Sequence, residues 1–209
     1  MAEVNVLIAF YSRNGSTEAL AKSIAEGARA EGAEVRLRRA RDIVAEEIIQ
    51  KVPGWAENRD RMYKEYEAPT EADAVWADGI ILGTPTRFGN VSAELKAYID
   101  SLGGLWVQGK LNGKAGSAFT STSTMHGGNE STILTLYIPM AHLGLILVPL
   151  GYADPVIFSA GTPYGASSVS GPASDQPPTD KDLEAARFQG KRVTQIARAL
   201  KSAGETRTE

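Results

Sequence analysis

Cysteine is absent from the 209 residues of this chain, and only two histidines are present. The absence of cysteine excludes disulfide bonds, thiolate metal sites and a cysteine nucleophile. We therefore expect no bound metal, and any redox chemistry has to come from a bound cofactor.

The chain also lacks a strong excess of positive or negative residues, since it has 22 Lys and Arg and 25 Asp and Glu, for a net charge of -3. Nucleic-acid binding needs a concentrated basic face, so nucleic acid is not an expected partner. No apolar run is long enough to span a membrane, and the first strand begins almost at once without a basic leader region. These absences predict a cytoplasmic protein that does not bind membranes.

The remaining composition is that of an ordinary globular protein, with 43% hydrophobic and 22% charged residues. A chain of this length can fill one hydrophobic core, and neither a repeat nor a linker divides it. We predict a single domain over residues 1–204 and a polar tail over residues 205–209.

The N-terminal stretch combines three different patterns. An apolar run from Val4 to Phe10 predicts a buried strand, and apolar residues at helical spacing from Leu20 predict a helix. Residues 11–18 between them are rich in hydroxyl groups. A strand that leads through such a loop into a helix leaves backbone N–H groups free to bind an anion. The alternative is an ordinary turn in which a serine or threonine caps the helix.

Periodicity predicts the other elements as well. Further strands are expected at 35–39, where apolar and charged residues alternate as in an edge strand, and at 79–84, 116–122 and 145–148. Further helices are expected at 42–51, at 70–76 with a capping box of Thr70 and Asp73, at 95–102, at 131–142 with a kink at Pro139 and an end at Gly144, and at 183–200. Loops are expected at 52–69, 105–108 and 151–180.

Strands that alternate with helices predict a parallel sheet covered on both faces. For five strands in one short domain we predict the order 2-1-3-4-5. This order brings together the loops after strands 1, 3 and 4, namely residues 11–18, 84–90 and 123–129. They then meet at the topological switch point, where open α/β sheets bind ligands.

The type of ligand follows from what the first loop contains. Ser12, Ser16 and Thr17 are candidate hydrogen-bond donors to a phosphate group. A nucleoside-triphosphate site would require a lysine, and the loop has none. The chain also lacks the G-x-G-x-x-G motif that binds a dinucleotide. The loop therefore favours flavin mononucleotide (FMN).

Several blocks of the chain also resemble a known family. They are Tyr11-Ser12 with Gly15, Gly83–Asn90, Gly103–Trp106, Ala141-His142 with Pro149–Tyr152, and Gly161–Gly165. In this order and spacing, along nearly the whole chain, they resemble the WrbA family of FMN-dependent NAD(P)H:quinone oxidoreductases. The resemblance implies a flavodoxin-like, doubly wound five-stranded sheet with loop insertions, and a homotetramer. It also implies two-electron reduction of a quinone by NADH or NADPH. For this reaction we predict ping-pong hydride transfer through the flavin.

The resemblance assigns roles to individual residues. The implied cofactor-binding residues are Ser12, Arg13, Asn14, Gly15, Ser16, Thr17, Pro85, Thr86, Arg87, Phe88, Gly89, Ser121, Thr122, Ser123, Thr124, Met125, Gly127, Gly128 and His142. Trp106 is expected to bind substrate. His142 is expected to stabilise or protonate the quinone oxygen, and Arg87 to offset charge on the reduced flavin.

Two departures from the family pattern concern the same site. Asn14 stands where the family often has an aromatic residue associated with the nicotinamide cofactor. The loop around Met125 and His126 is one residue longer and carries bulkier side chains. The resemblance therefore does not settle the choice between NADH and NADPH or the shape of the cavity.

Two other functions stay open on the same fold. One is a flavodoxin-type carrier of single electrons between proteins, although a net charge of -3 is little sign of the acidic docking face that such carriers use. The other is a non-enzymatic regulatory protein, although the chain shows no basic surface for nucleic acid.

Overall fold

The fold is built on a parallel sheet, seen in a computed structural model that describes residues 3–205. Its strands are β1 (Val4–Phe10), β2 (Ala33–Arg39), β3 (Gly79–Pro85), β4 (Ala115–Thr122), β5 (Ile146–Leu147) and β6 (Ser167–Val169). The first five follow the order β2-β1-β3-β4-β5, with all pairings parallel. The predicted order and the flavodoxin-like fold class are confirmed.

Helices cover both faces of this sheet. They are α1 (Ser16–Ala30), α2 (Glu46–Ile49), α3 (Trp55–Glu65), α4 (Glu71–Trp76), α5 (Ala93–Ser101), α6 (Gly103–Val107), α7 (Asn129–His142) and α8 (Asp180–Glu205). No helix within residues 3–205 combines the length and the apolar character needed to cross a membrane. The predicted tail lies outside the described residues, except Glu205, at which α8 ends.

The sixth strand was not expected. The prediction of a loop over residues 151–180 is wrong for β6 and for the 3-10 helix Pro155–Phe158. The last predicted strand, 145–148, is shorter than expected, because β5 pairs only with Ala115 and Gly116 at the start of β4. The far half of β4 is thereby left open, and β6 pairs there with Thr120–Thr122. A short polar strand of this kind has no periodicity by which a sequence could reveal it.

Residues 52–69 also differ from the prediction, since most of them form α3 and not an irregular insertion. Only Trp55 and Met62 of α3 are buried, so the helix has no long apolar stripe. Contacts with the buried carboxylate of Glu18 in α1 hold α3 in place. Arg61 donates from Nη1 to Glu18 Oε1 at 2.8 Å and from Nη2 to Oε2 at 2.5 Å, and the Tyr66 hydroxyl donates to Oε1 at 2.9 Å.

Smaller predictions had mixed outcomes. The capping box of Thr70 and Asp73 is confirmed, and α7 ends before Gly144 as expected. The helix predicted over 42–51 is reduced to α2. The loop predicted at 105–108 is wrong, because α6 includes most of it.

Both faces of β1 are buried, since Leu7 and Ala9 belong to one core cluster and Val6 and Ile8 to the other. Helices α1 and α8 cover the second cluster and approach each other closely at two glycines. A Cβ atom on Gly27 would lie 1.9 Å from the backbone oxygen of Arg187, and one on Gly190 would lie 1.9 Å from that of Ile24. Only glycine permits this contact, which sets the position of α1 on the sheet.

The anchor of α3 can be tested by Glu18→Gln. Burial alone would raise the pKa of Glu18, but hydrogen bonds from Arg61, Lys22 and Tyr66 lower it below its ordinary value. Such a carboxylate stabilises the fold above its unfolded pKa of about 4.3 and loses this effect as the pH falls through the folded pKa. We expect E18Q to lower the free energy of unfolding by about 1–3 kcal/mol at neutral pH.

Urea unfolding at a series of pH values measures this effect. The free energy of unfolding of E18Q should fall less than that of the wild type between about pH 5 and pH 3. The matched control is Glu34→Gln, on the exposed part of β2, which should behave like the wild type. Equal pH dependence of E18Q and the wild type would contradict the prediction.

Candidate functional site

The loops after β1, β3 and β4 meet at one edge of the sheet around a cavity of about 410 Å³. We call this cavity the switch-point cleft. Predicted residues that line it are Ser12, Arg13, Asn14, Ser16, Thr17, Pro85, Thr86, Arg87, Ser121, Thr122 and Ser123. Residues that the sequence did not suggest complete the lining: Val52, Pro53, Ser170, Ala173 and Ser174. The structure therefore brings residues of all three loops together at this edge of the sheet.

The first loop leads to an uncapped helix end. Gly15 precedes α1 in the left-handed conformation, with φ 101°, and no side chain within residues 3–205 caps the helix. The Gly15 N–H donates to Ser12 Oγ at 3.1 Å, which turns the loop back on itself. Thr17 Oγ1 lies 2.7 Å from Ser121 Oγ and so joins the first loop to the end of β4. The free N–H groups of the first turn can bind an anion, which the helix dipole also favours.

The second loop contains a tight turn beside the cleft. Arg87 and Asn90 exchange backbone hydrogen bonds of 2.9 and 3.1 Å, and Phe88 and Gly89 between them have positive φ values of 56° and 76°. The left-handed conformation is costly for a phenylalanine, and such strain is concentrated at functional sites. The Phe88 side chain is fully exposed at the tip of this turn.

Behind the first loop lies a buried ion pair. The Arg39 side chain is completely buried and donates to the Ser12 carbonyl oxygen from Nε at 3.3 Å and from Nη2 at 2.9 Å. Its Nη2 also lies 2.9 Å from Asp42 Oδ2. Arg39, which is not among the residues described along the cleft, thus fixes the loop backbone.

Asp42 also accepts hydrogen bonds from three other side chains. It accepts hydrogen bonds from the Tyr11 hydroxyl at 2.7 Å, Trp55 Nε1 at 2.9 Å and the Tyr63 hydroxyl at 3.0 Å. Burial alone would raise the pKa of Asp42, but the Tyr11 bond, the Arg39 charge and the Trp55 bond lower it. The carboxylate therefore stays ionised and connects α3 to the first loop.

Sequence reasoning missed this support, although one signal was present. Val35, Leu37 and Arg39 have the same parity in β2, and the two apolar residues pack against the core. Arg39 therefore lies on the inward face, where an arginine needs a partner. The partner itself, Asp42, has no comparable signal.

Other predicted residues lie around the cleft or away from it. Met125 is largely exposed, and neither it nor Phe88, Gly89, Thr124, Gly127, Gly128 or His142 is among the residues described along the cavity. Trp106 and His142 line a second cavity of about 560 Å³ together with Ile138, Pro139 and Leu143. We call this the α6–α7 cavity. Within this single chain it is separate from the switch-point cleft.

The buried pair can be tested by Asp42→Ala. The change leaves the Arg39 charge buried without its carboxylate, so we expect the free energy of unfolding to fall by about 3–5 kcal/mol. Asp60→Ala is the control, because Asp60 is 58% exposed in its pair with Arg59, and surface pairs contribute about 0–1 kcal/mol. Urea denaturation measures both, and equal losses in the two variants would contradict a special role for Asp42.

Comparison with known proteins indicates the family to which the chain belongs. The family model described as NADPH-dependent FMN reductase matches residues 3–154. A protein of Geotalea uraniireducens (strain Rf4) named NAD(P)H dehydrogenase (quinone) is 43% identical over 205 residues, covering 94% of this chain and 99% of the relative. One of the same name from Deinococcus radiodurans is 42% identical over 200 residues, covering 95% and 98%.

Solved structures lead to the same group. The crystal structure of a flavodoxin, WrbA-like protein from Agrobacterium tumefaciens matches with a TM-score of 0.65 and 26% identity, covering 94% of this chain and 98% of the other. Flavodoxin 2 from Bacillus cereus, at 21% identity and a TM-score of 0.53, covering 95% and 99%, shares the fold. The resemblance to WrbA is confirmed, and the chain belongs to the NADPH-dependent FMN reductase family.

Proposed function

We propose that this protein is an NAD(P)H:quinone oxidoreductase that reduces quinones through bound FMN in the switch-point cleft. The observation that carries the proposal is the meeting of three hydroxyl-rich loops at the uncapped N-terminus of α1. The names of the full-length relatives and the description of the family support the activity.

The residues of the cleft fit FMN. Its volume of about 410 Å³ lies in the range of about 300–1,000 Å³ that is usual for small-molecule sites. The free N–H groups at the start of α1, with Ser12, Ser16 and Thr17, would hold the phosphate. None of the residues described along the cavity is acidic, so nothing there repels a dianion.

The other two loops would hold the ring system. Thr86 N–H donates to the Ser121 carbonyl oxygen at 2.8 Å, and Thr132 Oγ1 donates to Thr86 Oγ1 at 2.9 Å, so the second loop is joined to the end of β4 and to α7, which flank the third loop. When bound, FMN supplies the hydride transfer between NAD(P)H and the quinone. Arg87 would place positive charge beside the ring, and the turn with Phe88 would form one rim of the site.

Trp106 and His142 have proposed roles toward the quinone and not toward FMN. Trp106, 56% exposed on α6, would bind substrate, and His142 at the end of α7 would hold a proton for the quinone oxygen. Both residues line the α6–α7 cavity and not the switch-point cleft, so the proposal places their action on a ligand of the cleft at a contact between copies.

We therefore include a homotetramer in the proposal. The face around α6, α7 and β5 exposes several large apolar side chains: Trp106, Val107, Leu134, Ile138, Ile146 and Leu147. An apolar face of this kind commonly marks a contact between protein surfaces. The cytoplasm, where NAD(P)H is available, is the proposed location.

Steady-state kinetics test the shared site. If donor and quinone use the same cavity in turn, double-reciprocal plots of rate against quinone concentration at several fixed NADPH concentrations should be parallel. Intersecting lines would contradict the shared site. Failure of the purified protein to turn over NADPH and quinone while it still shows a flavin absorption spectrum would favour the electron carrier.

Light scattering tests the assembly. Ile138 is 62% exposed on the apolar face, and Ile138→Asp should lower the molar mass below that of a tetramer, because a charge in an apolar contact is costly. Ile43 is 59% exposed but follows β2 at the other edge of the sheet, so Ile43→Asp should remain tetrameric. A monomeric wild-type protein saturated with FMN would refute the tetramer.

A further inference from the structure

The Arg13 side chain has an orientation that the proposed function does not use. Its guanidinium carbon lies 4.1 Å from the centroid of the Trp55 ring. Trp55 is itself only 5% exposed, and its Nε1 is held by Asp42 Oδ1 at 2.9 Å. Arg13 therefore stacks on an aromatic surface that is anchored to the buried ion pair, and it is not a freely moving surface arginine.

Arg13 lines the switch-point cleft, and no acidic residue is among those described along it. Arg13 and Arg87 are the only charged residues among those described along the switch-point cleft. Arg13 Nε is buried and has no hydrogen-bond partner within the described part of the chain. Burial, followed by the charge of Arg87, lowers the pKa of Arg13. A bound anion would offset both effects.

The position of Arg13 in the first loop indicates that this anion would be the phosphate of the flavin. Arg13 follows Ser12, whose Oγ accepts from the Gly15 N–H, and the open N–H groups at the start of α1 come directly after this turn. Arg87 belongs to the turn after β3, on a different wall. Arg13 is therefore the cation of the loop that would hold the phosphate.

We propose that Arg13 determines cofactor specificity, making the cleft selective for a phosphorylated flavin over riboflavin. The inference rests on the proposed function, because it assumes that FMN is bound in this cleft. The N–H groups and hydroxyls of the loop contribute dipoles, whereas Arg13 contributes a full charge in a fixed position. Hydrogen bonds between charged groups are about twice as strong as neutral ones, so this charge strengthens binding of the phosphate selectively.

The test compares binding of FMN and of riboflavin to the full-length protein, measured by flavin fluorescence. Arg13→Gln should raise the Kd for FMN by about 10-fold or more and the Kd for riboflavin by less than about 2-fold. Arg13→Lys keeps the charge without the planar stack, and its ratio of the two Kd values should be intermediate. In the wild type, salt should weaken FMN binding more than riboflavin binding.

Arg41→Gln is the matched control. Arg41 also stacks on an aromatic ring, with its guanidinium carbon 4.2 Å from the centroid of Tyr63, but it is exposed and is not among the residues along the cleft. This variant should keep both Kd values of the wild type. An equal loss in Arg13→Gln and Arg41→Gln would overturn the proposal, because a general effect of surface charge would then explain it.

Other outcomes separate the proposal from its alternatives. Equal weakening of FMN and riboflavin by Arg13→Gln would assign Arg13 a purely structural role. Unchanged Kd values with a raised KM for NADPH would make the donor's phosphates the anion, and would also overturn the proposal. Circular dichroism shows whether Arg13→Gln folds. If it does not fold, the wild type alone decides: a ratio of its Kd values for FMN and riboflavin that does not change with salt overturns the proposal. A wild-type protein that binds no flavin refutes the proposed function itself.

Discussion

The buried ion pair between Arg39 and Asp42 is the contact on which the switch-point cleft depends. Through Arg39 it holds the Ser12 carbonyl oxygen, and through Asp42 it holds Trp55 and Tyr63 at opposite ends of α3. A pair of this kind contributes little net stability compared with apolar packing, but its geometry is demanding because neither charge can be left alone. Contacts within the chain therefore hold the first loop in place.

The cleft combines a rigid frame with an electrostatic bias for anions. Its neutral donors are hydroxyl and backbone N–H groups, and its charges are the two arginines Arg13 and Arg87. The short β5 leaves part of β4 open to β6, and the chain after β6 returns to the cleft, where Ser174 Oγ lies 3.1 Å from Ser123 Oγ. A segment that has no periodicity in the sequence thus becomes one wall of the site.

The fold and much of the site could be predicted because both rest on local patterns. The apolar run of β1 and the alternation in β2 revealed their places in the sheet. The carboxyl ends of parallel strands share one edge, so strand order alone brought three loops together. The polar helix α3 was missed because Glu18 and Arg61, which anchor it, are 43 residues apart, and no periodic pattern reports such a pairing.

Local sequence was thus sufficient for the first four strands and for the hydroxyl-rich loops, since each of these depends on residues that are close together in the chain. The order of the five strands followed from their alternation with helices. The position of Trp106 and His142 in a separate cavity, and the stacking of Arg13 on Trp55, depended on side chains from distant segments. These contacts are set by how helices pack on the sheet, down to single glycines such as Gly27. Long-range packing of this kind has no local pattern, and so it became visible only in the folded chain.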